Sequence, residues 1–399
     1  MNYDLLALFA FFGVLYLFYL RNKEKFTVQG RILYMYKTKL GLNFMKSAAE
    51  KYPGLSWFMG WFGIVTGVAG MVFIFVYLIK ATVEFVVTPL ALPPLAPVLP
   101  GVAIPGVPTL SFLHWVLAIF IVAVLHEGAH GIQAIRNKIK LKSSGFAFLG
   151  PILLAFVEPD EKAMAKSNPS KQLSVFAAGP FINILSGFIF LAIFLFAIAP
   201  AYSSLYDIGG INVTNLTIDA PLANAGLAAP FLITSINSIR LDSPSALLDA
   251  GIEIEPGKEV IIETSKGEYT IKADADPNNS TRGIIGISNS EFIVQLKESR
   301  RWVAPLLPAI KWLNMLVMWL FIISIGVGLF NLLPLGPVDG GRIMFTLLFA
   351  IFKDEAKAKK AWGFFSAVCL VLIFINLLPW IIKLFSFIVA QVSWVVGLF

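Results

Sequence analysis

Phe112-Leu113-His114-Trp115-Val116-Leu117-Ala118-Ile119-Phe120-Ile121-Val122-Ala123-Val124-Leu125-His126-Glu127-Gly128-Ala129-His130-Gly131 carries two signals at once. From Phe112 to Leu125 only His114 interrupts an apolar run. Continued to about residue 135, the stretch is long enough to cross a bilayer as a helix, which takes about 20 residues. At its end three ionisable side chains crowd into five positions. Such groups at membrane depth are costly, and those that persist are usually functional.

The rest of the chain agrees with a membrane setting. Of its 399 residues 57% are apolar and 14% charged, with a mean hydropathy of +0.79. A soluble fold of this length could not hide that much apolar surface. Six predominantly apolar stretches predict spans at about 3–20, 57–79, 112–135, 172–200, 306–333 and 362–380. The apolar tail 381–399 reads as a seventh span or an interfacial helix, with Pro379 marking the ambiguity. The run Leu5–Leu20 follows Asp4 rather than a basic stretch and lacks a small-residue cleavage site, so it is expected to be a retained first helix.

Lys and Arg number eight in 21–51, seven in 136–171 and five in 342–360, and none occur in 81–111. By the positive-inside rule the basic segments are cytoplasmic, and 81–111 and 201–305 lie outside. The net charge of +7 therefore reports topology. Its basic residues form no stripe with aromatics, so nucleic acid is not an expected partner. The single cysteine, Cys369, excludes a disulfide framework and thiolate ligation, leaving His and carboxylate for any metal.

These signals predict an all-α polytopic transmembrane bundle with an inserted extracytoplasmic α+β domain. Its segments are 1–80 (spans one and two with a basic loop), 81–111 (a Pro-rich outer connector), 112–200 (core spans three and four), 201–305 (the insert), 306–345 (core span five) and 346–399 (C-terminal spans). In the insert, short alternating runs such as Val260-Ile261-Ile262 and Tyr269-Thr270-Ile271 are separated by turn residues. Residues 140–160, around Gly145-Phe146-Ala147-Phe148-Leu149-Gly150-Pro151, read as a re-entrant or interfacial β-type loop. Backbone of that kind is tolerated at membrane depth only if buried in protein or lining a wet cavity.

Residues four apart on a helix share a face, so His126 and His130 can reach one metal ion with Glu127 beside it. An open zinc site with three protein ligands lowers the pKa of bound water toward about 7, and an adjacent carboxylate takes the proton. A third ligand must come from the cytoplasmic end of another span. Asp339, in Asn331-Leu332-Leu333-Pro334-Leu335-Gly336-Pro337-Val338-Asp339-Gly340-Gly341-Arg342, is the candidate. The bland readings are two histidines satisfied at a helix end and a helix-capping aspartate. His114 lies twelve residues before His126, roughly 18 Å along a helix, and reads as an interfacial histidine. Asn183, in Gly179-Pro180-Phe181-Ile182-Asn183, is either interhelical glue or a donor to substrate or to an oxyanion.

The set His126-Glu127-x-x-His130, Gly179-Pro180-x-x-Asn183 and Asn331-x-x-Pro334 followed by Asp339-Gly340, in that order, resembles the site-2 protease family over about residues 112–342. Phe156-Val157-Glu158-Pro159-Asp160 is similar to the segment after the re-entrant loop of prokaryotic members. Val338 departs from the leucine usual in the family at that position. The resemblance implies one zinc per chain on His126, His130 and Asp339, Glu127 as general base, and Asn183 placing substrate or stabilising the oxyanion. It implies a multi-pass cell-membrane enzyme that cleaves transmembrane segments of membrane proteins; the loop charges put its active site toward the cytoplasmic half. In the insert, Ala220-Pro221-Leu222-Ala223-Asn224-Ala225-Gly226-Leu227, then Phe231-Leu232-Ile233-Thr234-Ser235-Ile236-Asn237, then the helix-like Ser243 to Ala250 resemble in their order a PDZ domain, a binder of peptides or C-termini.

Two other classes compete. In a metal-ion or proton-coupled transporter the same His and Asp residues would coordinate a passing ion, but an inserted soluble domain beside the site is unusual there. In an inactive scaffold the bundle would only anchor the insert, but such a chain has no need of Glu127. The basic segment 21–51, with Arg31, Tyr34, Tyr36 and Trp57 nearby, reads either as a solvated loop or as one lying on anionic lipid.

Overall fold

The computed structural model describes residues 3–29, 33–88, 91–102, 104, 106–149, 152–276, 279–336 and 338–396. Arg31, Gly150, Pro151, Pro337 and the last three residues of the apolar tail lie outside the described residues. The chain forms two compact units, Met1–Phe194 with Met315–Phe399, and Leu195–Asn314.

In chain order the elements are α1 (Tyr3–Arg21), β1 (Phe26–Gln29), β2 (Leu33–Thr38), α2 (Leu42–Lys51), α3 (Pro53–Val87), α4 (Phe112–Arg136), β3 (Leu141–Leu149), β4 (Ile152–Pro159), α5 (Glu161–Ala165) and α6 (Pro169–Ile193). There follow α7 (Ala199–Ser203), β5 (Tyr206–Leu216), α8 (Pro221–Asn224), β6 (Phe231–Ile236), β7 (Ile239–Arg240), α9 (Pro244–Ile252), β8 (Glu259–Thr264), β9 (Gly267–Lys272), β10 (Asp274–Asp276), β11 (Asn279–Ile284) and β12 (Ile287–Leu296). The chain closes with α10 (Leu307–Asn331), α11 (Asp339–Phe352) and α12 (Glu355–Val396).

Among the described residues six helical stretches are long and apolar enough to cross a membrane: Asp4–Arg21, Pro53–Val87, Phe112–Arg136, Pro169–Ser203, Glu298–Asn331 and Glu355–Ser386. Each contains or overlaps one expected span. The tail is not a separate seventh element: α12 runs through Pro379 to Val396 as one helix, about 63 Å long at 1.5 Å per residue.

The expectation of an all-α bundle needs correction. β1, β2, β3 and β4 form a four-stranded antiparallel sheet in chain order, with Tyr36 opposite Phe146 and Phe146 opposite Ala155. The region 140–160 is the β3–β4 hairpin, and half of the sheet comes from 21–51, whose charges hid its short strands. A lone hairpin would leave two unpaired edges, which are costly away from water. β2 covers the β3 edge, leaving β4 outermost. Lys37 on β2 and Ser143 on β3 both donate to the Glu158 carboxylate on β4, Lys37 across 2.8 Å, tying the three strands together. These donors hold Glu158 below the usual carboxylate range, the Lys37 bond first.

Around the sheet the helices are set by caps and small residues. Ser111 caps α4, and its hydroxyl lies 2.5 Å from His114 Nδ1, so His114 belongs to the far end of that helix. Pro53 and Pro169 open α3 and α6, where a missing N–H costs nothing. α3 lies close against α6: a Cβ on Gly67 would come within 2.7 Å of the Ala177 methyl. Gln133 of α4 donates to the Ser56 carbonyl of α3. α2 buries Met45 and Ala49, and a Cβ on Gly131 would strike the Met45 sulfur. The connector is pinned by indole N–H bonds from Trp115 to the Val98 carbonyl and from Trp380 to that of Leu95.

The second unit is built on an antiparallel sheet in the order β12-β5-β6-β8-β9, with β7 beside β6. Val260 and Ile262 are fully buried while Ile261 between them is 45% exposed, the period-two pattern of a half-covered strand. Its core gathers Ile211, Val213, Leu222, Phe231 and Ile233 with these residues. α9 begins at Pro244 with Ser243 as its side-chain cap.

Candidate metal centre

α4, α6 and α11 converge on one point. His126 and His130 project from the same face of α4, with ring centroids 4.7 Å apart. Asp339 is the first residue of α11 and reaches both: His126 Nε2 lies 3.1 Å and His130 Nε2 3.2 Å from its Oδ2, and the two nitrogens are 3.1 Å apart. All three side chains are almost wholly enclosed. α11 starts here because Gly340 and Gly341 have no Cβ; one on either would fall within 2.4 Å of a carbonyl oxygen of Leu332, Leu333 or Leu335.

Three observations fit this set to a divalent cation. First, three acceptor-type atoms form a nearly equilateral triangle, and one ring proton cannot bridge all of them. A tetrahedral ion about 2.0–2.1 Å from imidazole nitrogens needs donors about 3.3 Å apart, close to the spacing seen. Second, His130 Nδ1 lies 2.7 Å from the Val175 carbonyl oxygen. A carbonyl only accepts, so Nδ1 carries the proton and the neutral ring offers its Nε2 lone pair to the triangle. Third, α6 lays bare backbone over the same nitrogens. A Cβ on Gly179 would sit 2.4 Å from His130 Nε2 and 2.6 Å from His126 Nε2, filling the space the donors face.

Glu127 lines the same cavity, of about 290 Å³, together with His126, His130 and Asp339. Its Oε2 accepts the main-chain N–H of Val157 on β4 at 2.9 Å. Asn331 and Arg342 also border this cavity. The Arg342 guanidinium lies over the Phe176 ring at 5.6 Å. It faces as well an adjoining groove of about 580 Å³ between β4, α5, α6, α11 and α12.

Asn183, on α6, stands beside His126. It is fully buried, does not border the cavity, and its Nδ2 is 2.9 Å from His126 Nδ1, on the opposite side of that ring from Asp339. The structure thus brings His126, Glu127, His130 and Asp339 together and places Asn183 behind them. Sequence reading did not single out the Val175 carbonyl, the Val157 N–H or the Arg342 side chain. The first two are backbone groups that any residue would supply and carry no sequence signal. Arg342 sits three residues after Asp339 in a quoted motif and was available to be asked about.

Comparison with known proteins agrees with this arrangement. The model of peptidase family M50 matches residues 114–375, and the chain belongs to that family, the site-2 protease family. With its six apolar helices it is a multi-pass membrane protein. An uncharacterised protein of Methanocaldococcus jannaschii is 28% identical over 229 residues, 57% of this chain and 55% of that protein. The zinc metalloprotease RasP of Shouchella clausii is 22% identical over 286 residues, 58% of this chain and 66% of that protein. The chain thus spans between about half and two thirds of the length of these relatives. Among solved structures, the PDZ domain of an SdrC-like protein from Listeria monocytogenes aligns at 28% identity and a TM-score of 0.18, covering 20% of this chain and 86% of that domain.

Proposed function

We propose that this chain is an intramembrane zinc endopeptidase that hydrolyses peptide bonds in transmembrane segments of other membrane proteins. The observation that carries the reading is the convergence of His126 Nε2, His130 Nε2 and Asp339 Oδ2 within 3.2 Å of one another, with Glu127 in the same cavity. His126, His130 and Asp339 would hold the ion, which when bound polarises the scissile carbonyl and a water as a Lewis acid.

The chain's own residues do the rest. Glu127 takes a proton from the attacking water as the C–O bond forms, and returns it to the amide nitrogen as the C–N bond breaks. The Val157 N–H holds the Glu127 carboxylate in place meanwhile. Because that N–H points away from β3, the main-chain groups of Leu153, Ala155 and Val157 face the outer side of β4. An unwound substrate segment pairs with that edge and is led toward Glu127.

By the charge asymmetry of the loops, we place the metal centre toward the cytoplasmic half of the membrane and residues 201–305 outside. The second unit, an antiparallel sheet with short helices, acts as a PDZ-like module that binds peptides or C-termini and selects substrates. Its groove between α9 and residues 281–287 is the place for them.

The test is zinc content per chain in detergent-purified protein, with cleavage of a panel of transmembrane segments in vesicles. About one zinc, kept by Glu127→Gln and weakened by Asp339→Ala, is expected, with cleavage abolished in both variants. No zinc, or zinc indifferent to Asp339, overturns the ligand set.

A further inference from the structure

The pair Asn183–His126 leaves one buried polar atom without a partner. Asn183 Nδ2 lies 2.9 Å from His126 Nδ1, while Asn183 Oδ1, buried beside it, has no partner among the described residues. As placed, the amide donates to an unprotonated Nδ1. The ring proton is then on Nε2, aimed at Asp339 Oδ2 3.1 Å away. That placement of the proton is the wrong one for a ligand, because Nε2 can give its lone pair to a cation only when the proton sits on Nδ1.

The amide resolves the conflict by turning over. Its oxygen and nitrogen are nearly the same size, so a half-turn about the terminal bond sets Oδ1 where Nδ2 was, and Oδ1 accepts from Nδ1–H. The partnerless oxygen is the group this second arrangement uses. His130 needs no such device, since the Val175 carbonyl at 2.7 Å can only accept. One ligand's tautomer is therefore set by a backbone carbonyl and the other's by a side-chain amide.

We propose that Asn183 is a positioning residue whose amide oxygen accepts from His126 Nδ1–H and so holds the tautomer that leaves Nε2 free to ligate a metal ion. The inference rests on the zinc reading above. It differs from a role in which the Asn183 amide donates to substrate or to an oxyanion: the acceptor oxygen matters here, and the effect falls on metal affinity before any substrate is present.

The experiment measures zinc affinity by chelator competition on the full chain in detergent, for the native sequence, Asn183→Asp and Asn183→Leu. The visible spectrum of the cobalt-loaded protein reports ligand geometry, and thermal unfolding checks folding. Asn183→Leu, which offers no acceptor, is expected to bind zinc roughly 10–100-fold more weakly, the usual cost of removing a ligand's outer partner. Asn183→Asp, which can only accept, is expected to bind within a few-fold of native and keep the native cobalt spectrum. An unfolded leucine variant leaves the aspartate variant to decide. Zinc affinity unchanged in the leucine variant overturns the proposal, as does loss of affinity in a folded aspartate variant. If the native chain binds no zinc, the parent reading fails instead, so the two failures are distinguishable.

Discussion

The main-chain N–H of Val157 donates to Oε2 of Glu127 across 2.9 Å, joining the outermost strand of the sheet to the one carboxylate on α4. The outer edge of β4 and the Glu127 carboxylate are thereby set in fixed relation. Val157→Pro removes this donor without breaking a ladder bond, because the N–H points off the free edge, where proline is tolerated. A hydrogen bond to a charged group contributes about 1.5–3 kcal/mol, so the cleavage rate should fall about 10-fold or more with zinc content unchanged. Phe156→Pro, whose N–H faces β3, should instead lower thermal stability. Equal rates for native and Val157→Pro enzyme would show that the contact does not orient Glu127.

Gly179 and Gly187 both lie on α6 in close packing, but against different neighbours. A Cβ at 179 meets the ligand nitrogens, whereas one at 187 meets the flexible Ile325 side chain at 2.6 Å. Gly179→Ala should therefore yield folded protein without bound zinc. Gly187→Ala should keep zinc and lose only stability, by about 1–3 kcal/mol as overpacking usually costs. Elemental analysis and thermal unfolding of both variants check this. Zinc retained by Gly179→Ala would contradict the cradle.

Removing the metal should destabilise the helices that meet at it. An ion present at 100 times its dissociation constant stabilises the native state by about 2.7 kcal/mol, so a strong chelator should lower the unfolding midpoint of the native chain. Added zinc should restore it. Asp339→Ala should show a much smaller shift under the same chelator, and an equal shift would place the ion elsewhere.

The Lys37–Glu158 pair gives the sheet a weak acid sensitivity. The Glu158 carboxyl titrates below its ordinary value of 4.5, so its contribution is present above that value and disappears as the pH falls through the depressed one. Both side chains are more than a third exposed or nearly so, at 39% and 34%, and screening limits the pair to at most ~1 kcal/mol. Lys37→Met should cost that much at neutral pH and nothing once Glu158 is protonated. Unfolding midpoints of both chains across the acid range decide it, and a difference independent of pH would assign the loss to packing.

Much of the candidate site was legible because its residues are chemically scarce. With three histidines in the chain, two of them four apart at the end of an apolar run, helical periodicity alone puts them on one face. Asp339 was legible by elimination, since so few carboxylates stand near the ends of the core spans. The six spans were legible because hydrocarbon thickness sets a length that composition must meet. The four-stranded sheet was not: its halves are more than 100 residues apart, and β1 and β2 are only four and six residues long, within a segment rich in Lys and Arg. Pro379 was misleading as a boundary, since α12 continues through it.

What the sequence determined by itself is the membrane setting, the apolar spans and the candidate donor residues, because these follow from composition, from spacing along one helix and from the scarcity of ionisable side chains near the span ends. Tertiary structure alone decided that the Asp339 carboxylate meets both imidazoles, that bare backbone at Gly179 leaves room beside them, that Val157 holds Glu127, and that Asn183 stands behind His126. Each of these is a contact between separate elements, several of them made by backbone groups. The distance across such a contact is fixed by how helices and strands pack together, which no local pattern of residues encodes.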